Sequence, residues 1–237
     1  MVWQLIVIAM AGYLLGSINL SIILSKLMGK GDIRDYGSGN AGTTNTLRVL
    51  GVVPAILVFL FDACKGILAI IIGRWLILLG NSIPAENLEL AYELAVLVSA
   101  AAAIIGHNFP IYYGFKGGKG IATSLGAITM IEWPIGLVCM LFGVIMILAS
   151  RMVSVGSIIG AILYPVLVLV MGEAFAFPIP YILFACFLAA LAIYRHKSNI
   201  EKLLNGTENK LWHTKAEKAA MQLEGNQSEG KDNKEEN

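Results

Sequence analysis

Three stretches of the chain gather small, polar and cationic residues in patterns that suit anion binding. In the first, Asp35-Tyr-Gly-Ser-Gly-Asn-Ala-Gly-Thr-Thr-Asn-Thr-Leu-Arg48, three glycines, several amide and hydroxyl side chains and an arginine fall within 14 residues. A loop of this composition can turn consecutive backbone N–H groups toward one point, and an arginine adds a planar fork of donors. Gly37, Gly39 and Gly42 formally satisfy a G-x-G-x-x-G spacing. That fingerprint belongs to dinucleotide sites only after a strand in a βαβ unit, and an apolar run precedes it here.

The second stretch is Gly106-His-Asn-Phe-Pro-Ile-Tyr-Tyr-Gly-Phe-Lys-Gly-Gly-Lys-Gly-Ile-Ala-Thr123, where Lys119 stands among Gly117, Gly118 and Gly120 just before a new apolar helix. Free N–H groups at a helix start beside a lysine make a phosphate site on electrostatic grounds. It is not a Walker A loop, because Tyr113 stands where that motif needs its first glycine. His107, next to the apolar Phe109-Pro110 turn, reads as structural or supporting rather than catalytic. The third stretch is split between Arg-Met-Val-Ser-Val-Gly-Ser at 151–157 and Tyr-Arg-His-Lys-Ser-Asn from 194 on to Glu208. His196 and Asn199 are three apart and share a helical face. A comparison of 196–201 with the H-x-x-x-x-D motif fails, since Glu201 replaces the aspartate and helical spacing separates the two side chains.

The elements that must position these groups are membrane helices. Of 237 residues, 57% are hydrophobic and only 14% charged, with a mean hydropathy of +0.74, a balance outside the range of soluble domains. A net charge of +1 excludes the concentrated basic face of a nucleic-acid-binding protein. Twelve of the charged side chains lie after Asn205, leaving 12 basic and nine acidic ones in the first 204 residues. Cys64, Cys139 and Cys186 all sit inside apolar runs, far apart, which predicts small buried hydrophobes with neither a disulfide nor a zinc site.

Apolar runs at 3–24, 52–78, 94–113, 121–131, 134–150, 153–171 and 180–194 predict an all-α integral membrane protein, a bundle of seven transmembrane helices. The first run lacks a basic leader and a small-residue cleavage pattern, and is expected to be a retained helix. Residues 121–150 must make two crossings in 30 residues around Glu132-Trp133-Pro134, so a five-span variant with a re-entrant pair is open. Lys26, Lys30, Arg34, Arg48, Lys116, Lys119, Arg151, Arg195 and Lys197 all fall in alternate connections, while 81–93, 132–134 and 172–178 carry no Lys or Arg. By the positive-inside rule the N-terminus is outside, the C-terminus cytoplasmic, and all three stretches share the cytoplasmic face. Residues 1–204 therefore form the membrane domain, and 205–237 are expected to be a disordered polar tail.

The three motifs, Gly37-Ser-Gly-Asn-Ala-Gly-Thr-Thr-Asn45 with Arg48, Gly117-Gly-Lys-Gly-Ile-Ala-Thr123, and Arg195-His-x-x-Asn-Ile-x-x-Leu-x-x-Gly-x-Glu208, resemble those of the bacterial acyl-phosphate-dependent glycerol-3-phosphate acyltransferases, the PlsY family. The resemblance spans about residues 5–208; Thr43 stands where many members have alanine, and the tail is longer than usual. It implies transfer of a fatty acyl group from acyl phosphate to the 1-hydroxyl of glycerol 3-phosphate, the first acylation of phospholipid synthesis, at a bacterial inner membrane. It further implies a monomer needing no metal and no cofactor, with His196 or the substrate's own phosphate as the base. Ser38, Arg48, Lys119, His196 and Asn199 are the implied glycerol 3-phosphate and catalytic set. The implied substrate-binding positions are Gly37, Gly39, Asn40, Gly42 and Asn45; His107, Gly117, Gly118, Gly120 and Thr123; Ser154 and Ser157; and Arg195 and Glu208. The rival class is a transporter for a phosphorylated solute, whose pathway Asp62, Lys65 and Arg74 would line. A pairing of Asp62 with Lys65, three apart on one helix face, is the simpler expectation.

Overall fold

The computed structural model describes residues 1–79, 83–171 and 177–212. The described residues fold into helices and short turns: α1 Val2–Gly16, α2 Leu20–Leu27, α3 Thr43–Leu50, α4 Val52–Leu79, α5 Leu88–Asn108, α6 Ile121–Ile131, α7 Trp133–Ser150, α8 Val153–Val170, α9 Ile179–Arg195 and α10 Lys197–Leu204. Each of the seven apolar runs contains a helix, the one at 94–113 stopping at Asn108. Among the described residues, five helical stretches are long and apolar enough to cross a bilayer, and a sixth is added if α9 and α10, bent by 61°, count as one. At 11 residues α6 is about 16 Å long, half the roughly 30 Å of a hydrocarbon core.

Two expectations change. The run at 3–24 is not one helix: it breaks at Ser17–Asn19, where Asn19 caps α2 by accepting from Ile22 N at 3.2 Å and from Ser21 Oγ at 2.7 Å. The glycine-rich stretch before Arg48 is a loop only as far as Gly42; Thr43 onward winds into the amphipathic α3, which packs against α4 and carries Arg48 in its last turn. Threonine and asparagine are weak helix formers, and tertiary contact overrides that preference here.

α1 packs against α5 and α4, burying Gln4, Ile8, Gly12 and Gly16 at a spacing of four. The core lies between α4–α9, with Ile70, Ala100, Ile104, Ala127, Tyr164, Phe184 and Leu188 in one buried cluster. α6 lies against α4 because Gly126 has no side chain; a Cβ there would collide with the carbonyl oxygen of Ala63. The outer face is apolar, with Leu60, Trp75, Leu141 and Leu183 all more than half exposed, as a lipid-facing surface requires. Of the cysteines only Cys139 is buried; Cys64 and Cys186 are exposed on this apolar exterior, and none is bridged. Lipid, not protein, accommodates them. Parts of the predicted outer loops, 80–82 and 172–176, and the predicted tail from 213 lie outside the described residues.

Candidate active site

The site forms at the end of the bundle where α6 and α8 begin and α9 ends, and two loops close over it. The first loop is tied down from within. Asn45, fully buried, accepts from Ser38 N at 2.8 Å and donates to the carbonyls of Ile33 and Tyr36, each at 3.0 Å. Asn19 donates to the carbonyl of Ala41 at 3.1 Å, joining the loop to the α1–α2 break. Arg34 grips Asp32 through Nε and Nη2 at 2.9 and 2.7 Å and donates through Nη1 to the carbonyls of Tyr113 and Lys116 at 2.8 and 2.9 Å. It thereby locks the first loop to the second.

The second loop rests on α5 and α9. Gly117 and Gly118 donate their N–H groups to the carbonyls of Asn108 and His107. Arg195, stacked 4.8 Å from the Phe109 ring centroid, donates to the carbonyls of Gly117 at 3.1 Å and Gly118 at 2.7 Å. Only glycine fits at 118, because a Cβ would collide with His107 Nε2. This packing aims Lys119 at α10. Its ammonium donates to Asn199 Oδ1, Asn199 Nδ2 donates to Glu208 Oε1 at 2.8 Å, and Ser154 Oγ donates to the same oxygen at 3.0 Å. Glu208 Oε2 is buried with no hydrogen-bond partner. Residues just past 204 therefore close the site, and Leu211 N reaches the carbonyl of Arg151 at 2.8 Å.

Burial pushes the Lys119 ammonium down to about 8, with Arg195, Arg48 and Lys202 adding repulsion and Glu208 opposing it. Burial likewise lowers His196 to about 4, reinforced by Lys119. His196 Nδ1 lies 2.8 Å from the carbonyl of Ala192. A neutral ring donates through Nδ1–H and leaves Nε2 as an acceptor.

Two spaces meet here. One is a cavity of about 580 Å³ running from the polar end between α6, α7, α8 and α9. The other is a polar cleft of about 810 Å³ on the outer side of the two loops. Ser38, Asn40, Lys119, Asn199 and Lys202 line both. Gly42, Arg48, His107, Gly120, Ser154, Ser157, His196 and Glu208 line the first alone. Gly39, Gly117 and Arg195 line only the second. Gly37, Asn45, Gly118 and Thr123 line neither; they shape the loops or, for Thr123, lie buried against Gly66 of α4.

Sequence reasoning missed Arg34 and Lys202, and Thr43 and Thr44 at the start of α3. In the sequence Arg34 stands out only as a topological charge, and no local pattern announces partners some 80 positions away. Asp62 and Lys65 form a buried ion pair at 2.8 Å, and Lys65 Nζ also meets His107 Nδ1 at 2.8 Å and the carbonyl of Ile18 at 3.1 Å. The two charges pair with each other, and Asp62 lines the inner wall of the cavity beside His107.

A crystal structure of PlsY, an integral membrane glycerol 3-phosphate acyltransferase in its glycerol 3-phosphate form, superposes with a TM-score of 0.75 at 32% identity, covering 88% of this chain and 96% of that one. The lysophosphatidic acid form of the same protein gives 0.73 at the same identity, with 88% and 95% coverage. Curated relatives named glycerol-3-phosphate acyltransferase include one from Shouchella clausii, 43% identical over 89% of this chain and 98% of its own. Another, from Halalkalibacterium halodurans, is 44% identical over 90% and 97%. The profile of the glycerol-3-phosphate acyltransferase family matches residues 6–206, a span that takes in both loops and the bend at His196, and the chain belongs to that family.

Proposed function

We propose that the chain transfers a fatty acyl group from acyl phosphate to the 1-hydroxyl of sn-glycerol 3-phosphate, giving lysophosphatidic acid and inorganic phosphate. The observation that carries this reading is the meeting of a largely apolar cavity and a polar cleft at Lys119 and Asn199. A fatty chain fits the first space and a small phosphorylated polyol the second. The cations around the junction, Lys119, Arg48 and Lys202, suit a phosphate on the donor as well as on the acceptor. In the reaction the glycerol hydroxyl oxygen bonds to the acyl carbon and the bond from that carbon to the phosphate oxygen breaks. The phosphate departs with the electron pair. The mixed anhydride is already activated, so positioning and charge stabilisation supply the acceleration. His196, held near 4, is a weaker base than a phosphate ester with a second pKa of about 6, so the hydroxyl proton passes to phosphate while His196 Nε2 orients the hydroxyl.

The same reading places seven helices across a bacterial plasma membrane, with α6 short and partly penetrating, the N-terminus outside, the site at the cytoplasmic face, residues beyond 212 as a polar tail, and the protein a monomer. Purified protein given synthetic acyl phosphate and labelled glycerol 3-phosphate is expected to yield equimolar lysophosphatidic acid and phosphate, with acyl-CoA and acyl carrier protein inert. Equal turnover with acyl-CoA overturns the donor assignment. In a background lacking Cys64, Cys139 and Cys186, Asn40→Cys and Lys116→Cys should label from the cytoplasm and Glu89→Cys from outside; the opposite pattern inverts the topology.

A further inference from the structure

The apolar cavity is closed toward the core, while Met140 and Val144 of its α7 wall are exposed. Its lining begins at Ile121 on α6, Ile147 on α7, Val153 and Ser154 on α8 and His196 at the end of α9, all close to the reacting groups. Along each helix the lining ends at one residue: Ile128, Cys139, Tyr164 and Leu188. These four are 7%, 7%, 2% and 5% exposed, and all belong to the buried core cluster. The slot therefore stops where close packing begins. From Ser154 to Tyr164 along α8 it is about 15 Å deep, at roughly 1.5 Å per helical residue. Its α8 wall opens through Ser157, Gly160 and Ala161 before the Tyr164 ring shuts it.

We propose that Ile128, Cys139, Tyr164 and Leu188 form an end wall that measures the acyl chain, making this enzyme selective for chain length with a sharp upper limit. The inference rests on the donor's acyl chain occupying the cavity. A packed interior yields little, so a chain that fits gains about fourfold in affinity for each methylene buried, and one that overruns the wall must displace the core and loses that gain. Tyr164 and Cys139 face the chain terminus from α8 and α7, so their volumes set the limit from two sides.

The test measures kcat/KM across saturated acyl phosphates differing by two carbons. The parent protein is expected to lose at least tenfold between its longest accepted chain and the next. Tyr164→Ala should restore that longer chain by at least tenfold relative to the optimum, while Cys139→Phe, or Ile128→Phe if that variant does not fold, should move the limit toward shorter chains. Active variants that keep the parent profile overturn the proposal, as does a parent without a limit. A second arm does not depend on the donor: with Cys64 and Cys186 replaced by alanine, alkylation of Cys139 by a membrane-permeant maleimide is followed in the presence of lysophosphatidic acids of graded length. Protection that appears only with long chains supports the end wall, and protection equal for short and long chains, or none, overturns it. Graded protection without turnover of any acyl phosphate would sink the donor assignment and leave the end wall standing.

Discussion

The molecule contains two polar clusters built from nearly the same parts, and they serve opposite ends. In the first, the Lys65 ammonium is ion-paired with Asp62 and also meets His107 Nδ1 and the carbonyl of Ile18. In the second, Lys119 donates to a neutral amide, and its carboxylate, Glu208, is reached only through Asn199. The first lysine is neutralised and silent. The second keeps charge and donors to spare beside Arg48 and Lys202, at the junction of cavity and cleft. One interposed amide separates a structural ion pair from the proposed anion site. Breaking each cluster should therefore fail in a different currency, stability for the first and turnover for the second.

The largest effect expected is that of Lys65→Met, which leaves the buried Asp62 with His107, 3.4 Å away, as its remaining partner and costs up to about 3–5 kcal/mol. Thermal melting in detergent should show it, and the double variant Lys65→Met with Asp62→Leu should recover most of the loss; failure to recover would show that the charges do more than cancel. Lys119→Ala should instead cut turnover at least tenfold, as loss of a charge-assisted hydrogen bond worth about 1.5–3 kcal/mol, while folding is kept. Its stability should rise slightly. A lysine whose folded pKa is about 8 against 10.5 destabilises the fold below pH 8, and that cost shrinks as pH rises from 8 toward 10.5. For the same reason kcat/KM for glycerol 3-phosphate should fall on an alkaline limb near pH 8, as the free enzyme loses the Lys119 charge, and Lys119→Arg should move that limb upward. A limb that stays in place would assign it to another group.

Smaller effects sharpen the second cluster. Arg48 lines the cavity from α3 and makes no ion pair among the described residues. Arg48→Lys keeps the charge but loses the planar fork, and should raise the KM for glycerol 3-phosphate by roughly tenfold, much more than that for acyl phosphate. A selective rise for acyl phosphate would exchange the two phosphates between loops. Smallest of all is truncation after residue 210, which keeps Glu208 and removes the bond from Leu211 to Arg151, about 1 kcal/mol at most. Steady-state rates should change less than twofold; complete loss in an inserted protein would make the tail part of the site.

Much of this was legible in the sequence because hydropathy and charge act locally. Each of the seven apolar runs contains a helix, and Ser38, Arg48, Lys119, His196 and Asn199 line one cavity. What could not be read depends on partners distant in the chain. Asn45 looks like a ligand-binding amide, yet its side chain is spent on Ser38, Ile33 and Tyr36. Arg195 looks like a phosphate cation, yet its bonds go to the Gly117 and Gly118 carbonyls. The break at Ser17–Asn19 did carry a local sign, since asparagine is a favoured N-cap, but the apolar residues on either side hid it.

The spacing of Asp62 and Lys65 also bears on how the chain enters the membrane. A lone aspartate or lysine near the middle of an inserting helix costs about 2.5–3.5 kcal/mol on an insertion scale. α4 carries both, three residues apart, in a segment of mean hydropathy 2.4. Their pairing is complete as soon as α4 is helical, before α5 has been made and His107 has arrived. The insertion machinery therefore meets a small internal dipole instead of two separate charges, and α4 can be handed to lipid in the order in which it is synthesised.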